Sequence, residues 1–154
     1  MRVEILAVDR IRAAWASDAI RDYLGRVARY CEVARREVRP ARGNSRRGVD
    51  EEGARLLAAA GNRPDTRLVA LTPGGEALPS EAWAGMISAW QRDGVGRAVF
   101  LVGGAGGLSS AALAEADRRL SLGPQTLSHE LAQVVLAEQL YRAFTILRGE
   151  PYHK

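Results

Sequence analysis

Cysteine occurs once in this 154-residue chain, at Cys31, and histidine twice, at His129 and His153. A lone thiol cannot close an internal disulfide, so the expected setting is the reducing cytoplasm. Two histidines and one cysteine at these separations offer no zinc-ligand spacing, and no metal is expected. No apolar run approaches the roughly 18 residues that cross a bilayer, so no membrane partner is expected either. The first residues, Met1 to Val8, alternate like a strand and carry Glu4, unlike a secretory signal. Gly-x-Ser-x-Gly and P-loop patterns are missing, which leaves hydrolase and phosphate-transfer readings without support. Internal repeats and low-complexity linkers are missing too, and the length suits one domain, residues 1–154, with a sizeable core.

Lysine is almost as scarce. Lys154 is the only one, and every other basic residue is arginine, for a net charge of +4. The preference for arginine follows from genome composition as readily as from function, but its placement is uneven. Arg35, Arg36, Arg39, Arg42, Arg46 and Arg47 fall within 13 residues whose only acid is Glu37. A basic segment punctuated by glycine and proline suits contact with a phosphate backbone. A solvated loop without a partner accounts for the same residues equally well.

What is abundant is alternation of strand and helix. Met1 to Val8 reads as a strand, and Ile11 to Tyr30 carries apolar residues at helical spacing. Cys31 to Val38 is a second strand leading into the arginine segment. A helix is expected over Asp50 to Ala60, with acids at its start and Gly61 as C-cap. Arg67 to Thr72 is a third strand, closed by Pro73-Gly74-Gly75. Ser80 can cap a helix running to Asp93. Arg97 to Val102 is continuously apolar from Ala98, as for a strand buried on both faces. A helix from Ser109 or Ser110, a short strand Arg118 to Leu122 and a long helix Ser128 to Leu147 follow. The order implies an α/β fold, a mainly parallel sheet flanked by helices. The last helix, with Leu131, Val134, Val135, Leu136, Leu140, Tyr141, Phe144, Ile146 and Leu147, has little polar face and calls for burial on several sides. A second copy of the chain is the expected cover.

Polar and basic groups gather at loops around this apolar frame, as in a ligand site on a rigid scaffold. Gly104-x-Gly106-x-x-Ser109 nearly spells a dinucleotide fingerprint between a strand and a helix. Its third glycine is a serine, it follows the fourth strand, and no acid ends the next strand to hold a ribose. Four glycines in Gly103–Gly107 exceed what one tight turn requires. They expose backbone groups and permit close approach of a ligand.

Gly103-Gly104 with Gly107-Leu108-Ser109, Ser121-Leu122 with Thr126-Leu127-x-His129, and Glu138-x-Leu140-Tyr141-Arg142-Ala143 occur here in one order. With the tail Pro151-Tyr152-His153-Lys154, they resemble the small bacterial SPOUT-class methyltransferases that modify N3 of a pseudouridine in large-subunit (23S) ribosomal RNA. The resemblance runs the whole length. It implies a trefoil knot in the C-terminal half, a homodimer, large-subunit ribosomal RNA as partner, and S-adenosyl-L-methionine held by three loops. Those loops fall at Leu71, at Gly103, and at Leu122, Gly123, Pro124, Gln125, Thr126 and Leu127. Three positions depart from the family pattern: Thr72 replaces an acid, Ser128 a proline and Gln133 an arginine. Gln133 would remove a positive charge from the RNA or substrate side.

Methyl transfer from a sulfonium is an in-line displacement, so alignment is the main task of such a site. Arg142 is the expected electrostatic stabiliser of the charge left when N3 loses its proton. Tyr152 and His153 are candidates for positioning or proton removal, His153 having the more suitable intrinsic pKa, near 6.5. Arg35, Arg36, Arg39, Arg42, Arg46, Arg47 and Lys154 are the expected RNA contacts. His129 reads equally as catalytic or as part of the helix start. The competing readings are a SPOUT enzyme acting on another RNA, and a non-catalytic RNA- or ribosome-binding protein on the same scaffold.

Overall fold

The computed structural model describes residues 1–43 and 45–154; Asn44, inside the arginine segment, lies outside the described residues. Five strands, β1 (Arg2–Val8), β2 (Val33–Val38), β3 (Thr66–Ala77), β4 (Arg97–Val102) and β5 (Arg118–Ser121), alternate with helices. The helices are α1 (Ala14–Val27), α2 (Arg46–Ala60), α3 (Ser80–Arg92), α4 (Ser110–Glu115) and α5 (His129–Leu147). The sheet order is β2-β1-β4-β3-β5, and each neighbouring pair is parallel.

Alternation along the central strands divides the core into two layers. Val3, Ile5 and Ala7 of β1 and Ala98, Phe100 and Val102 of β4 face α1, α3 and α5. Leu6, Val8, Val99 and Leu101 face α2 and α4 on the other side. Glu4 lies on that second face and is only 1% exposed. Arg97 donates to its Oε2 at 2.8 Å and Arg36 to its Oε1 at 3.0 Å. The same two guanidiniums reach the carbonyls of Ala59 and Ala60. They thereby satisfy orphan acceptors at the negative end of the α2 dipole.

Several element boundaries differ from the sequence expectation. α2 begins at Arg46, a turn before Asp50, because Ser45 caps it by accepting from Gly48 N–H at 3.1 Å. Ser80 is not a cap: Pro79 holds that position, and the Ser80 hydroxyl donates to Gln139 Oε1 at 2.8 Å. Pro73-Gly74-Gly75 does not end β3. Leu71 and Glu76 are both registered with Leu120, so Thr72 to Gly75 bulge out before pairing resumes. A Cβ on Gly75 would sit 2.5 Å from the Leu120 carbonyl carbon, so the two backbones touch there.

α5 is covered within its own chain more fully than its composition implies. α1 and α3 flank it while it packs on β4, and Leu136, Ala137, Leu140 and Ala143 are fully buried. The neighbouring helices, and not the sheet alone, absorb its apolar girth.

Candidate functional site

In parallel sheets, ligands bind beyond the carboxyl ends of the strands. Here β4, β3 and β5 are consecutive in the sheet, so the loops that leave them emerge side by side. Leu71 to Pro73, Gly103 to Leu108, and the run from Ser121 to Leu127 line one cleft of about 460 Å³. The start of α5 supplies its remaining wall through His129 and Ala132. The volume lies in the range of small-molecule sites. Every loop residue expected from the sequence lines this cleft except Pro124, which is exposed outside it.

The glycine loop is a closed turn. Gly107 N–H donates to Gly104 O at 3.0 Å, and Gly107 has φ +78°. A Cβ on Gly103 would lie 2.4 Å from the Gly107 carbonyl carbon and 2.8 Å from Leu108 N. Gly103 is thus required by the turn's own backbone, and its missing side chain does not point at a ligand. Behind the loop, Glu52 of α2 stands 3.0 Å from the Cβ position of Gly104, and its Oε1 accepts from Ala41 N–H at 2.9 Å. In the third loop, Ser121 Oγ donates to Gly123 O at 2.9 Å, and Gly123 has φ +134°. Ser128 caps α5 by accepting from Leu131 N–H at 3.3 Å, which gives the serine a clear local role.

Thr72, the departure expected to weaken a polar contact near the cofactor, lines the cleft, and Ser121, His129 and Ala132 join it without having been expected there as ligand contacts. Position at a strand end or helix start is their only sequence signal. The His129 Nε2 is shielded from solvent and has no partner among the described residues.

Gln133 does not face solvent. It is fully buried, donates to His129 O at 3.1 Å and accepts from Arg35 Nε at 2.8 Å. Arg35 therefore turns inward from β2 and also bonds Glu37 and the carbonyl of Asp9. Arg36 is held by Glu4, and Arg47 pairs with Glu51 at 3.3 Å. Arg39, Arg42 and Arg46 are exposed, with no ion pair among the described residues. The six arginines thus split into two bound into the fold and four on the surface beside α2.

Arg142 and Tyr152 lie together, and neither they nor His153 line the cleft. Arg142 donates from Nε and Nη2 to Glu138 Oε1 at 3.0 and 2.7 Å, and its guanidinium stacks 4.7 Å from the Tyr152 ring centroid. Tyr152 donates to the same carboxylate oxygen at 3.0 Å and packs edge-on against Tyr141. His153 Nε2 is 2.8 Å from Glu81 Oε1. Tyr30 donates to Glu150 Oε2 at 2.6 Å, so the tail is docked on its own protomer. Burial, helped by the Glu138 hydrogen bond, raises the Tyr152 hydroxyl pKa above its ordinary value, which opposes a role as base in this position. Arg142 is thirteen positions after His129 on α5, about 20 Å along the axis. Lys154 is exposed.

The described residues include no group of three or more His, Cys, Asp or Glu placed to hold a metal ion, and no helix long and apolar enough to cross a membrane. Solved structures share the fold. A probable methyltransferase from Bordetella pertussis Tohama I matches with TM-score 0.56 and 16% identity, over 92% of this chain and 95% of that one. A probable methylase family protein from Haemophilus influenzae Rd KW20 matches with TM-score 0.56 and 14% identity, over 96% of this chain and 66% of that one. Curated relatives are nearer in sequence. The ribosomal RNA large subunit methyltransferase H of Gemmatimonas aurantiaca is 47% identical over the full length of both chains. The protein of that name from Anaeromyxobacter sp. (strain K) is 44% identical, again over both full lengths. The one from Hyphomonas neptunium is 43% identical, over all of this chain and 99% of its own. The family described as predicted SPOUT methyltransferase matches residues 1–153, and the chain belongs to that methyltransferase family.

Proposed function

We propose that this protein transfers a methyl group from S-adenosyl-L-methionine to N3 of a pseudouridine in large-subunit (23S) ribosomal RNA, acting in the cytoplasm as a homodimer. The observation that carries this reading is the meeting of three strand-end loops in one cleft, on a chain related over its full length to ribosomal RNA methyltransferases. The cleft suits the cofactor chemically. Leu71, Leu122 and Leu127 offer apolar walls for a purine, and the glycine loop offers backbone donors and acceptors beside them. Bound there, S-adenosylmethionine would supply an electrophilic methyl group. The chain's own part is to hold the RNA base in line with that position and to manage the N3 proton.

Arg142, about 20 Å along α5 from His129, and the tail residues Tyr152 and His153 do not line their own cleft. A second copy docked against α5 would bring this cluster to the neighbouring cleft and make each site composite. In that setting Arg142, held rigid by Glu138 and the Tyr152 ring, stabilises negative charge on the base, and His153, oriented by Glu81, accepts the N3 proton. Arg39, Arg42, Arg46 and Arg47 meet the phosphate backbone near α2. The trefoil knot belongs to the same reading, supported by membership of the SPOUT methyltransferase family.

The test is methyl transfer to ribosomes that lack the modification, with mass mapping of the RNA. One added methyl on a 23S pseudouridine is the expected result. Transfer to another RNA would assign a different SPOUT substrate. Ribosome binding without transfer or affinity for S-adenosylhomocysteine would assign a non-catalytic role.

A further inference from the structure

Two of the three tryptophans are core residues, Trp83 at 2% and Trp90 at 7% exposure, whereas Trp15 is 57% exposed. Leaving an indole in water forgoes one of the largest apolar burials a side chain can make. Trp15 is the second residue of α1, which begins just past the carboxyl end of β1. β1 pairs with β4, whose own carboxyl end carries the glycine loop, so Trp15 stands on the same edge of the sheet as the cleft.

The segment that presents it is built. Asp9 adopts φ +68°, uncommon for a residue other than glycine, and accepts from Arg10 N–H at 2.8 Å. Glu130 Oε1 then accepts from the backbone N–H groups of Arg12 and Ala13, at 2.5 and 3.3 Å. Glu130 directly follows His129 of the cleft wall, and Trp15 is two residues past Ala13 at the start of α1, roughly 5.5 Å between Cα atoms. The exposed side chains of Arg10 and Arg12 stand on this turn; Arg12 pairs with Asp9 at 3.1 Å, and Arg10 has no ion pair among the described residues.

The surroundings favour one kind of partner. Among the described residues, the only other exposed large apolar side chain is Leu147, at 36% and at the far end of α5. A protein-docking core needs several such groups side by side, and Trp15 has none beside it. An isolated indole flanked by two guanidiniums matches a nucleobase with its adjoining phosphates. We propose that Trp15 is a stacking platform for a base of the RNA substrate next to the reacting nucleotide, with Arg10 and Arg12 meeting the neighbouring phosphates. This rests on the RNA-methylating function proposed above and adds a surface outside the cofactor loops, the tail and the arginine segment.

The test uses Trp15→Ala and Trp15→Phe in the full chain. Oligouridylate RNA should quench part of the wild-type tryptophan emission, and that part should vanish in Trp15→Phe while binding persists. With ribosomes as substrate, Trp15→Ala should raise KM roughly 5- to 150-fold, the range for loss of one base–aromatic stack, with kcat little changed and Trp15→Phe restoring most of it. S-adenosylhomocysteine affinity and the mass by light scattering should stay at wild-type values. Absence of Trp15-specific quenching, an unchanged KM, or a fall in mass in Trp15→Ala would overturn the proposal, the last by showing that Trp15 covers a second copy. A wild-type protein that methylates no RNA would defeat the methylation reading, and the quenching arm would still decide the stacking.

Discussion

Replacing Gly103 with alanine puts a methyl carbon 2.4 Å from the Gly107 carbonyl carbon and 2.5 Å from its oxygen. Both are backbone atoms of the turn closed by the Gly107-to-Gly104 hydrogen bond, so no side chain can swing aside. Relief requires the turn to open, and forcing an extra methyl into a packed site costs about 1–3 kcal/mol. A ligand that needs the closed turn must restore it, so its affinity should fall by roughly 5- to 150-fold. Calorimetric titration of S-adenosylhomocysteine measures this directly, with circular dichroism confirming the fold. Gly74→Ala is the matched control, because a Cβ there meets nothing within 4 Å. Wild-type affinity in a folded Gly103→Ala protein would refute both the closed-turn argument and the placement of the cofactor.

Deleting Tyr152 to Lys154 should leave cofactor affinity near wild type and abolish methylation; mixing that truncation with Gly103→Val should restore activity in hybrid dimers, since one composite site per hybrid is then intact. Activity of the truncated protein alone, or a clean monomer mass at micromolar concentration, would count against the composite site. Acid should loosen the Trp15-bearing turn. Asp9 is held below its ordinary 3.8, chiefly by the Arg10 N–H, and Glu130 below its ordinary 4.5, chiefly by the Arg12 N–H. Between those values and their lowered folded ones the unfolded chain binds more protons, so stability is present above about pH 4.5 and drains as pH falls further. Hydrogen exchange at residues 9–13 against pH reads this, and protection independent of pH between 5 and 3 would contradict it. Gly85→Ala, at an exposed α3 position where a Cβ meets nothing within 4 Å, should stabilise the protein by about 0.5–1 kcal/mol in urea unfolding.

Much of the frame was legible from local pattern. The apolar run of β4, the spacing along α1 and the Gly61 cap each express an interaction within a few residues, and each element formed near its expected place. The glycine loop was legible too, because four glycines in five residues mark a backbone in close quarters. What the glycines were for was not. Gly103 answers to Gly107, and Gly75 to Leu120, forty-five residues away in the chain. Arg35 and Arg36 read as part of one basic run, since sequence counts charges without showing direction. Partners on distant elements, Gln133 and Glu4, draw both inward. The strand order β4-β3-β5 is likewise a tertiary outcome, and it alone turns three separated loops into one cleft. Sequence by itself determined the elements, the loop chemistry and the family, because those depend on neighbours along the chain. Tertiary structure decided which arginines are free, which serines cap, and that Arg142, Tyr152 and His153 are held by Glu138 and Glu81 outside the lining of the cleft, because those depend on neighbours in space.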